Sequence, residues 1–200
     1  MEAPEKIKSS KNSGAQDACE TEAFALRMAA YNPVLWEQLP DLGLYMDQVI
    51  TFLDRQLACL RPCPGREERV LTPAMINNYV KQRVIPRPNG KKYDREHLAA
   101  LLMVCALKQV LPIDAVTRLI HAPNGDIRTH YEAFCAQQRD ALERAGASLA
   151  RHETTALRCA LEAGAYCLAA EALLGQYAPE EEAEASTPLP PEQGTSSLVS

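Results

Sequence analysis

The sequence lacks the segments and motifs that mark several large classes of protein. No stretch approaches the roughly 18 consecutive apolar residues of a membrane span, so no transmembrane helix is expected. The first residues are polar and contain no apolar signal core, which predicts a cytoplasmic location. Glycine-rich phosphate loops, GxSxG motifs and HExxH metal motifs are absent, and the four histidines are scattered. We therefore expect no enzyme, no cofactor, no bound metal and no membrane contact.

The seven cysteines also lack the pairing that a disulfide framework needs. Their number is odd, their spacing is irregular, and no CxxC occurs. Cys105, Cys135 and Cys159 fall on apolar helical stripes, where a thiol acts as a small buried hydrophobe. Cys59 and Cys63 lie four apart beside a Pro-Cys-Pro turn, so a cysteine-based redox or metal sensor stays open as an alternative.

Both ends are predicted to be disordered. Residues 1–30 are largely polar, and residues 178–200 contain five glutamates without a single lysine or arginine. Segments of such composition bury too little apolar surface to offset the entropy of ordering the chain.

Between the ends, the spacing of apolar residues is helical almost throughout. It predicts helices over 41–60, over 73–85, and from Asp94, Pro112, Asp126 and about Arg151. No β-strand longer than the two-residue arms of a wing is expected. The predicted fold is all-α, with a winged helix-turn-helix domain over 34–122 and a C-terminal helical region over 126–177 that would support a homodimer.

The segment between Thr72 and Arg95 carries an unusual charge. Its only acid is Asp94, so its net charge is +5 within a chain of net charge −5. Its six cations are Lys81, Arg83, Arg87, Lys91, Lys92 and Arg95. A compact basic helix and turn on an acidic protein is typical of a DNA-binding module.

The helix within this segment has an inner and an outer face. Thr72 is expected to cap it and Pro73 to occupy its first position, while Ile76 and Val80 face inward. Its polar face, formed by Asn77, Asn78 and Lys81, is free to reach base edges, since asparagine pairs bidentately with adenine. Pro86 is expected to end the helix, and the Asn-Gly of PRPNG to form a tight turn.

Two blocks in this region, MINNYVKQRVIP (75–86) and GKKYDREHL (90–98), resemble the recognition helix and wing of MerR-like winged helix-turn-helix regulators. The resemblance implies a DNA-binding fold. It places Asn77 on the base-reading arginine of that family, Tyr79 on its second tyrosine and Lys81 on its later arginine. Lys92 and Tyr93 fall on the arginine and tyrosine of the wing.

Over residues 34–145 the chain is similar to a bacterial family of unknown function, DUF1836, regarded as MerR-like. The blocks LYMDQV, LTPAMINNYVK and KKYDREHL carry this similarity. Three departures from the MerR pattern stand out, namely a long linker over 61–70, a short wing and no long C-terminal coiled coil. In addition, Arg83 replaces the usual glycine after the recognition helix, so its backbone is expected to stay right-handed.

The leading hypothesis is a sequence-specific transcriptional regulator located at the nucleoid that binds double-stranded DNA. Helix 73–85 would enter the major groove and wing 87–93 would contact the adjacent backbone. The alternative is a non-enzymatic adaptor that uses the same basic face for an acidic protein partner. The candidate DNA-binding residues are Thr72, Asn77, Asn78, Tyr79, Lys81, Arg83, Arg87, Lys91, Lys92 and Tyr93.

Overall fold

Seven α-helices make up most of the protein in the computed structural model, which describes residues 8–61, 71–121 and 126–175. The helices are α1 (Lys8–Ala29), α2 (Met46–Leu57), α3 (Pro73–Lys81), α4 (Arg95–Leu107), α5 (Ile113–Ile120), α6 (Ile127–Ala150) and α7 (Ala156–Gly175). Within these ranges there is no β-strand, only two isolated antiparallel bridges. The all-α prediction is confirmed. None of the helices in the described ranges has both the length and the apolar content needed to cross a membrane.

Helix α4 forms the centre of the core. Asp94 caps it by accepting a hydrogen bond from the backbone N–H of His97 at 3.2 Å. Every residue from His97 to Cys105 is buried. A helix that is apolar on all sides is stable in water only when other elements surround it, and the neighbouring helices do so here.

Helices from both predicted regions share this core. Val49 and Leu53 of α2 are fully buried in it, and α6 contributes Tyr131 and Cys135. The Tyr131 hydroxyl donates a hydrogen bond to the carbonyl oxygen of Val34 at 2.7 Å. Helix α6 and Leu174 of α7, in the region expected to follow a separate domain, therefore share one core with that domain.

The N-terminal prediction of disorder over 1–30 is wrong for residues 8–29, which form α1. Helix α1 packs against α6, and Ala25 is fully buried. A Cβ placed on Gly146 of α6 would lie only 2.6 Å from the Ala25 carbonyl oxygen and 2.7 Å from the Ala29 nitrogen. The missing side chain of Gly146 lets the two backbones touch, so close backbone approach helps to hold this polar helix in place.

Helix α7 is attached to the rest of the protein by one narrow side. Leu174 is its only buried residue, and the Cys167 thiol lies 3.1 Å from the Val110 carbonyl oxygen. Cys105 and Cys135 are buried as predicted, whereas Cys159 is exposed. The prediction for Cys159 was wrong because the apolar stripe that contains it has no covering element in the described part of the chain.

Several sequence predictions concern residues outside the described ranges. These are the first seven residues, the loop over 62–70 with Cys63, the turn over 122–125 and the acidic segment over 178–200.

Candidate nucleic-acid interface

Helix α3 begins as its sequence predicts but ends earlier. The Thr72 hydroxyl accepts a hydrogen bond from the backbone N–H of Met75 at 3.3 Å, and Pro73 occupies the first position. The helix ends at Lys81, so the predicted helix over 73–85 is four residues too long. Pro86 marks only the latest point at which a helix could stop.

The early end of α3 follows from the backbone of Arg83, which is left-handed with φ +59°. The Arg83 N–H donates to the Val80 carbonyl at 3.2 Å, and the Val84 N–H donates to the Tyr79 carbonyl at 2.9 Å. This pair of bonds is the Schellman arrangement that usually requires glycine. The expectation of a right-handed Arg83 was therefore wrong, because burying Val84 and Ile85 beyond the turn demands the reversal of the chain.

His121, at the C-terminal end of α5, holds this turn. Its Nε2 lies 3.0 Å from the Arg83 carbonyl oxygen and 3.2 Å from that of Val84. Both partners are acceptors, so Nε2 carries the proton and donates to them. Sequence reasoning did not identify His121, since its contact spans 38 residues and leaves no local pattern.

The outer face of α3 carries a row of exposed side chains at positions i, i+3, i+4 and i+7. The row consists of Ala74, Asn77, Asn78 and Lys81, which surround one shallow depression together with Met75. On the opposite face Ile76 is fully buried. The helix therefore presents two amides and one cation to the solvent, on the face opposite the one that packs against the core.

The wing is a tight turn followed by a short antiparallel contact. Gly90 and Lys91 both have positive φ, +56° and +68°, and the Lys92 N–H donates to the Asn89 carbonyl at 3.0 Å. The turn is thus centred one residue after the predicted Asn-Gly pair. Tyr93 then exchanges two backbone hydrogen bonds of 2.8 Å with Leu44, which ties the wing to the segment before α2.

Five of the six cations of this segment are exposed, and we call them the basic surface. They are Lys81, Arg83, Arg87, Lys91 and Lys92. The first three line a cleft of about 570 Å³, whose lining also includes Glu96 and Asp126. The Lys92 ammonium lies 5.6 Å from the centre of the Tyr45 ring, a cation–π distance that fixes the direction of its side chain.

The sixth cation, Arg95, is turned away from the basic surface. Its guanidinium carbon lies 5.8 Å from the centre of the Trp36 ring, and its Nη1 lies 3.7 Å from a carboxylate oxygen of Glu37. Half-buried and paired with an acid, Arg95 contributes little to the field at the outer face of α3. The net charge counted along the sequence therefore overstates the charge available to a ligand.

Two predicted site residues, Tyr79 and Tyr93, belong to the core. They are only 7% and 3% exposed, and burial raises the pKa of both hydroxyls above the ordinary tyrosine value. Both side chains therefore pack in the core, and their direct contact with DNA stays a prediction. Thr72 is exposed and acts as the cap of α3.

The wing joins α4 through the contact between Asp94 and His97. A carboxylate oxygen of Asp94 lies 2.6 Å from His97 Nδ1. Burial opposes ionisation of this carboxyl, but the hydrogen bonds with His97 outweigh it and hold the pKa of Asp94 below its usual value. The ring of Tyr93 meets that of His97 edge to face at 5.5 Å. The wing is thereby anchored to the most buried helix of the protein.

The exposed groups on this side of the protein suit a polyanion that has hydrogen-bonding edges. Asparagine amides both donate and accept, as adenine recognition requires, and lysine and arginine pair with phosphate oxygens. Across the described ranges no group of three or more His, Cys, Asp or Glu side chains is arranged to hold a metal ion.

The chain matches the model of a known protein family. The model of a family described as a domain of unknown function, DUF1836, matches residues 34–137. No curated protein and no solved structure matches the chain significantly. The matched region begins before α2 and ends within α6, so it contains α3, the wing and α4.

Proposed function

The chain belongs to the DUF1836 family, and from that premise we propose that it is a MerR-like, sequence-specific DNA-binding transcriptional regulator. Helix α3 would lie in the major groove with Asn77, Asn78 and Lys81 at the base edges. Arg87, Lys91 and Lys92 would contact backbone phosphates beside it. Such a protein acts by binding and not by catalysis, and its place would be at the bacterial nucleoid.

The observation that carries the proposal is the outer row of α3. A recognition helix needs one face on its scaffold and a short polar face with side chains that reach base edges. Ile76 and Tyr79 supply the first face, and Asn77 and Asn78 form the second. In the described part of the chain, no hydrogen bond holds the side-chain amides of Asn77 and Asn78, so neither amide has an evident structural role.

Arg83 gives further support, because its left-handed backbone raises the free energy of the folded state. A left-handed non-glycine residue is less favourable by about 1–2 kcal/mol than a right-handed one. Here that conformation places an exposed cation directly after the outer row of α3. Glycine would satisfy the turn without that cost, so an arginine at this position is best explained by use of its charge.

The test is enrichment of duplexes from a random-sequence pool on the full chain at low salt, followed by fluorescence anisotropy. We expect one sequence class to be enriched. Asn77→Ala should weaken its binding about tenfold or more, the effect of losing a bidentate base contact. Asn32→Ala is the matched control, since Asn32 is also an exposed asparagine but lies far from α3 in sequence.

The outcomes separate the two functional hypotheses. Enrichment lost with Asn77→Ala and kept with Asn32→Ala would support DNA reading by α3. Failure to bind any duplex at low salt would reject the proposal and favour an adaptor that offers its basic surface to an acidic protein.

A further inference from the structure

The cleft between the end of α3 and the start of α6, which we call the α3 cleft, has an apolar floor. Its volume is about 570 Å³, which falls within the range of clefts that bind small organic ligands. The floor includes the buried side chains of Ile85, Ala100 and Ile120, which come from three separate segments of the chain. No described phenylalanine, tyrosine or tryptophan lines it. The floor therefore offers a ligand aliphatic contact.

Three cations without a counter-ion lie around this floor. Lys81, Arg83 and Arg87 line the cleft and are exposed, and none of them forms an ion pair within the described ranges. A guanidinium binds a carboxylate through two parallel N–H···O bonds, and the attraction is stronger where an apolar surface excludes water. The cleft thus combines a place for an anionic group with a place for an aliphatic chain.

Two carboxylates also line the cleft and limit the charge that a ligand can carry. Asp126 already serves as the cap of α6, since its carboxylate accepts the Thr129 backbone N–H at 2.8 Å. Glu96 is exposed and in no ion pair within the described residues. With the histidines neutral, three cations and two carboxylates leave a net charge of +1. A ligand with one negative charge is therefore favoured over a cation.

The wall that carries Arg83 is held in place without a ligand. His121 Nε2 donates to the carbonyl oxygens of Arg83 and Val84, at 3.0 and 3.2 Å. An ordered wall loses little conformational entropy when a ligand binds, so more of the contact energy appears as affinity.

A second cleft of similar size lacks this combination of features. It lies between α1, α2, α4 and α6, has a volume of about 600 Å³, and is lined by apolar side chains such as Phe24, Met28 and Leu142. Arg61 is the only cation among the described residues of its lining. Its Nη2 already pairs with a carboxylate oxygen of Asp54 at 3.0 Å. Charge therefore distinguishes the α3 cleft as the place for an anion.

We propose that the α3 cleft binds an aliphatic monocarboxylate. The carboxylate would pair with Arg83 and Arg87, and the chain would lie on the floor formed by Ile85, Ala100 and Ile120. Both arginines belong to the basic surface, so a bound carboxylate would also compete with DNA phosphates. Only this competition rests on the proposed function, and the binding of the carboxylate does not.

Isothermal titration calorimetry of the full chain with octanoate, at low salt and without DNA, tests the site. We expect one molecule to bind with a dissociation constant on the order of 0.1–1 mM, as a ligand of about ten heavy atoms can reach. Acetate has the charge without the chain, and octylammonium has the chain with the opposite charge. Each should bind at least about tenfold more weakly, because it loses one of the two kinds of contact.

Three variants locate the bound octanoate. Arg87→Ala should weaken binding about tenfold by removing a charge-assisted contact, whereas Arg144→Ala, at an exposed arginine of α6 outside the cleft, should not change it. Glu96→Gln should strengthen binding about threefold, because it removes a repulsive charge from the lining. Equal binding by Arg87→Ala and wild type, as expected if octanoate occupied the second cleft, would overturn the proposal. Weaker binding by Glu96→Gln, tighter binding of octylammonium or no binding of octanoate would overturn it as well.

Competition with DNA is measured separately. Octanoate at about 5 mM, above its expected dissociation constant, should reduce the affinity for the enriched duplex more than acetate at the same concentration, which controls for ionic strength. Ile127→Ala removes apolar contact from the cleft lining without changing charge, so it should diminish the effect of octanoate and leave duplex binding alone unchanged. Octanoate binding without any duplex binding would support the site and reject only the proposed function. Simultaneous binding of octanoate and duplex without competition would overturn the shared use of Arg83 and Arg87.

Discussion

Helices α3 and α7 each press one side against the core and expose the other, but their exposed sides are opposite in chemistry. On α3 the exposed row consists of amides and a cation, and on α7 it consists of Leu157, Leu161 and Leu168, which we call the leucine row. Exposure alone therefore does not indicate function. The row on α3 offers hydrogen bonds and a positive charge, whereas the row on α7 offers only apolar contact.

The largest expected effect is a difference in lost stability between shortening a buried side chain of α3 and shortening an exposed side chain of α7. Ile76→Ala should reduce the free energy of unfolding by about 2–5 kcal/mol, because Ile76 is fully buried and its removal leaves a cavity. Leu161→Ala should change it by less than about 0.5 kcal/mol, because Leu161 is 66% exposed. Urea unfolding at low protein concentration measures both. A similar loss for the two variants would mean that the leucine row is already covered within one chain.

The next effect distinguishes the two helical glycines, and here the signs are opposite. Gly146→Ala should destabilise the protein by about 1–3 kcal/mol, because its Cβ would clash with backbone atoms of α1. Gly164→Ala should stabilise the protein by about 0.5–1 kcal/mol, because alanine has the better helix propensity and its Cβ would meet nothing within 4 Å. Thermal and urea unfolding of the two variants in parallel give the comparison. Destabilisation by Gly164→Ala would contradict the open environment assigned to that residue.

Arg83→Gly tests whether the positive charge that follows α3 is kept at a cost in folding stability. Glycine takes the left-handed conformation without strain, so the free energy of unfolding should rise by up to about 1 kcal/mol, partly offset by the freer unfolded chain. DNA affinity should nevertheless fall severalfold, because a cation of the basic surface is lost. If DNA affinity were unaltered, the charge of Arg83 would have no part in binding.

The smallest expected effect is a pH dependence of folding stability that arises at Asp94, where the wing meets α4. The pKa of Asp94 is lowered in the folded protein, so the ionised carboxylate stabilises the fold at pH above its unfolded pKa. That contribution is lost as the pH falls through the folded pKa. Asp94→Asn, which can still cap α4, should flatten the dependence of stability on acidic pH relative to wild type. Acid unfolding followed by circular dichroism provides the measurement, and an unchanged profile would exclude Asp94 as its source.

Local signals in the sequence predicted a good part of this fold. Thr72 and Asp94 are caps whose oxygen atoms bond to backbone only three residues away, and α4 is apolar enough to be recognised as the core helix. The outer row of α3 followed from helical spacing in the same way. The comparison of α3 with α7 also shows a limit, since α7 is rich in apolar residues but Leu174 is the only one of its residues that the described part of the chain buries.

The rest depended on contacts between distant residues. The left-handed backbone of Arg83 is stabilised by the burial of Val84 and Ile85 and by the hydrogen bonds of His121. The identity of residue 83 does not predict these contacts, because arginine usually has a right-handed backbone. Helix α1 escaped prediction because its polar composition hides a close backbone contact at Gly146, about 120 residues away. Tyr79 and Tyr93 were proposed as DNA-binding residues from their places in a family motif, but tertiary packing buries them.

The salt dependence of duplex binding by the full chain tests the role of the basic surface most directly. If about four of its cations contact phosphates, the logarithm of the binding constant should fall with the logarithm of salt concentration at a slope of about −3.6. Arg87→Ala should make that slope shallower by about 0.9, whereas Arg144→Ala, at an exposed arginine on α6, should leave it unchanged. A wild-type slope near zero, or equal slopes for Arg87→Ala and wild type, would contradict DNA binding through the basic surface.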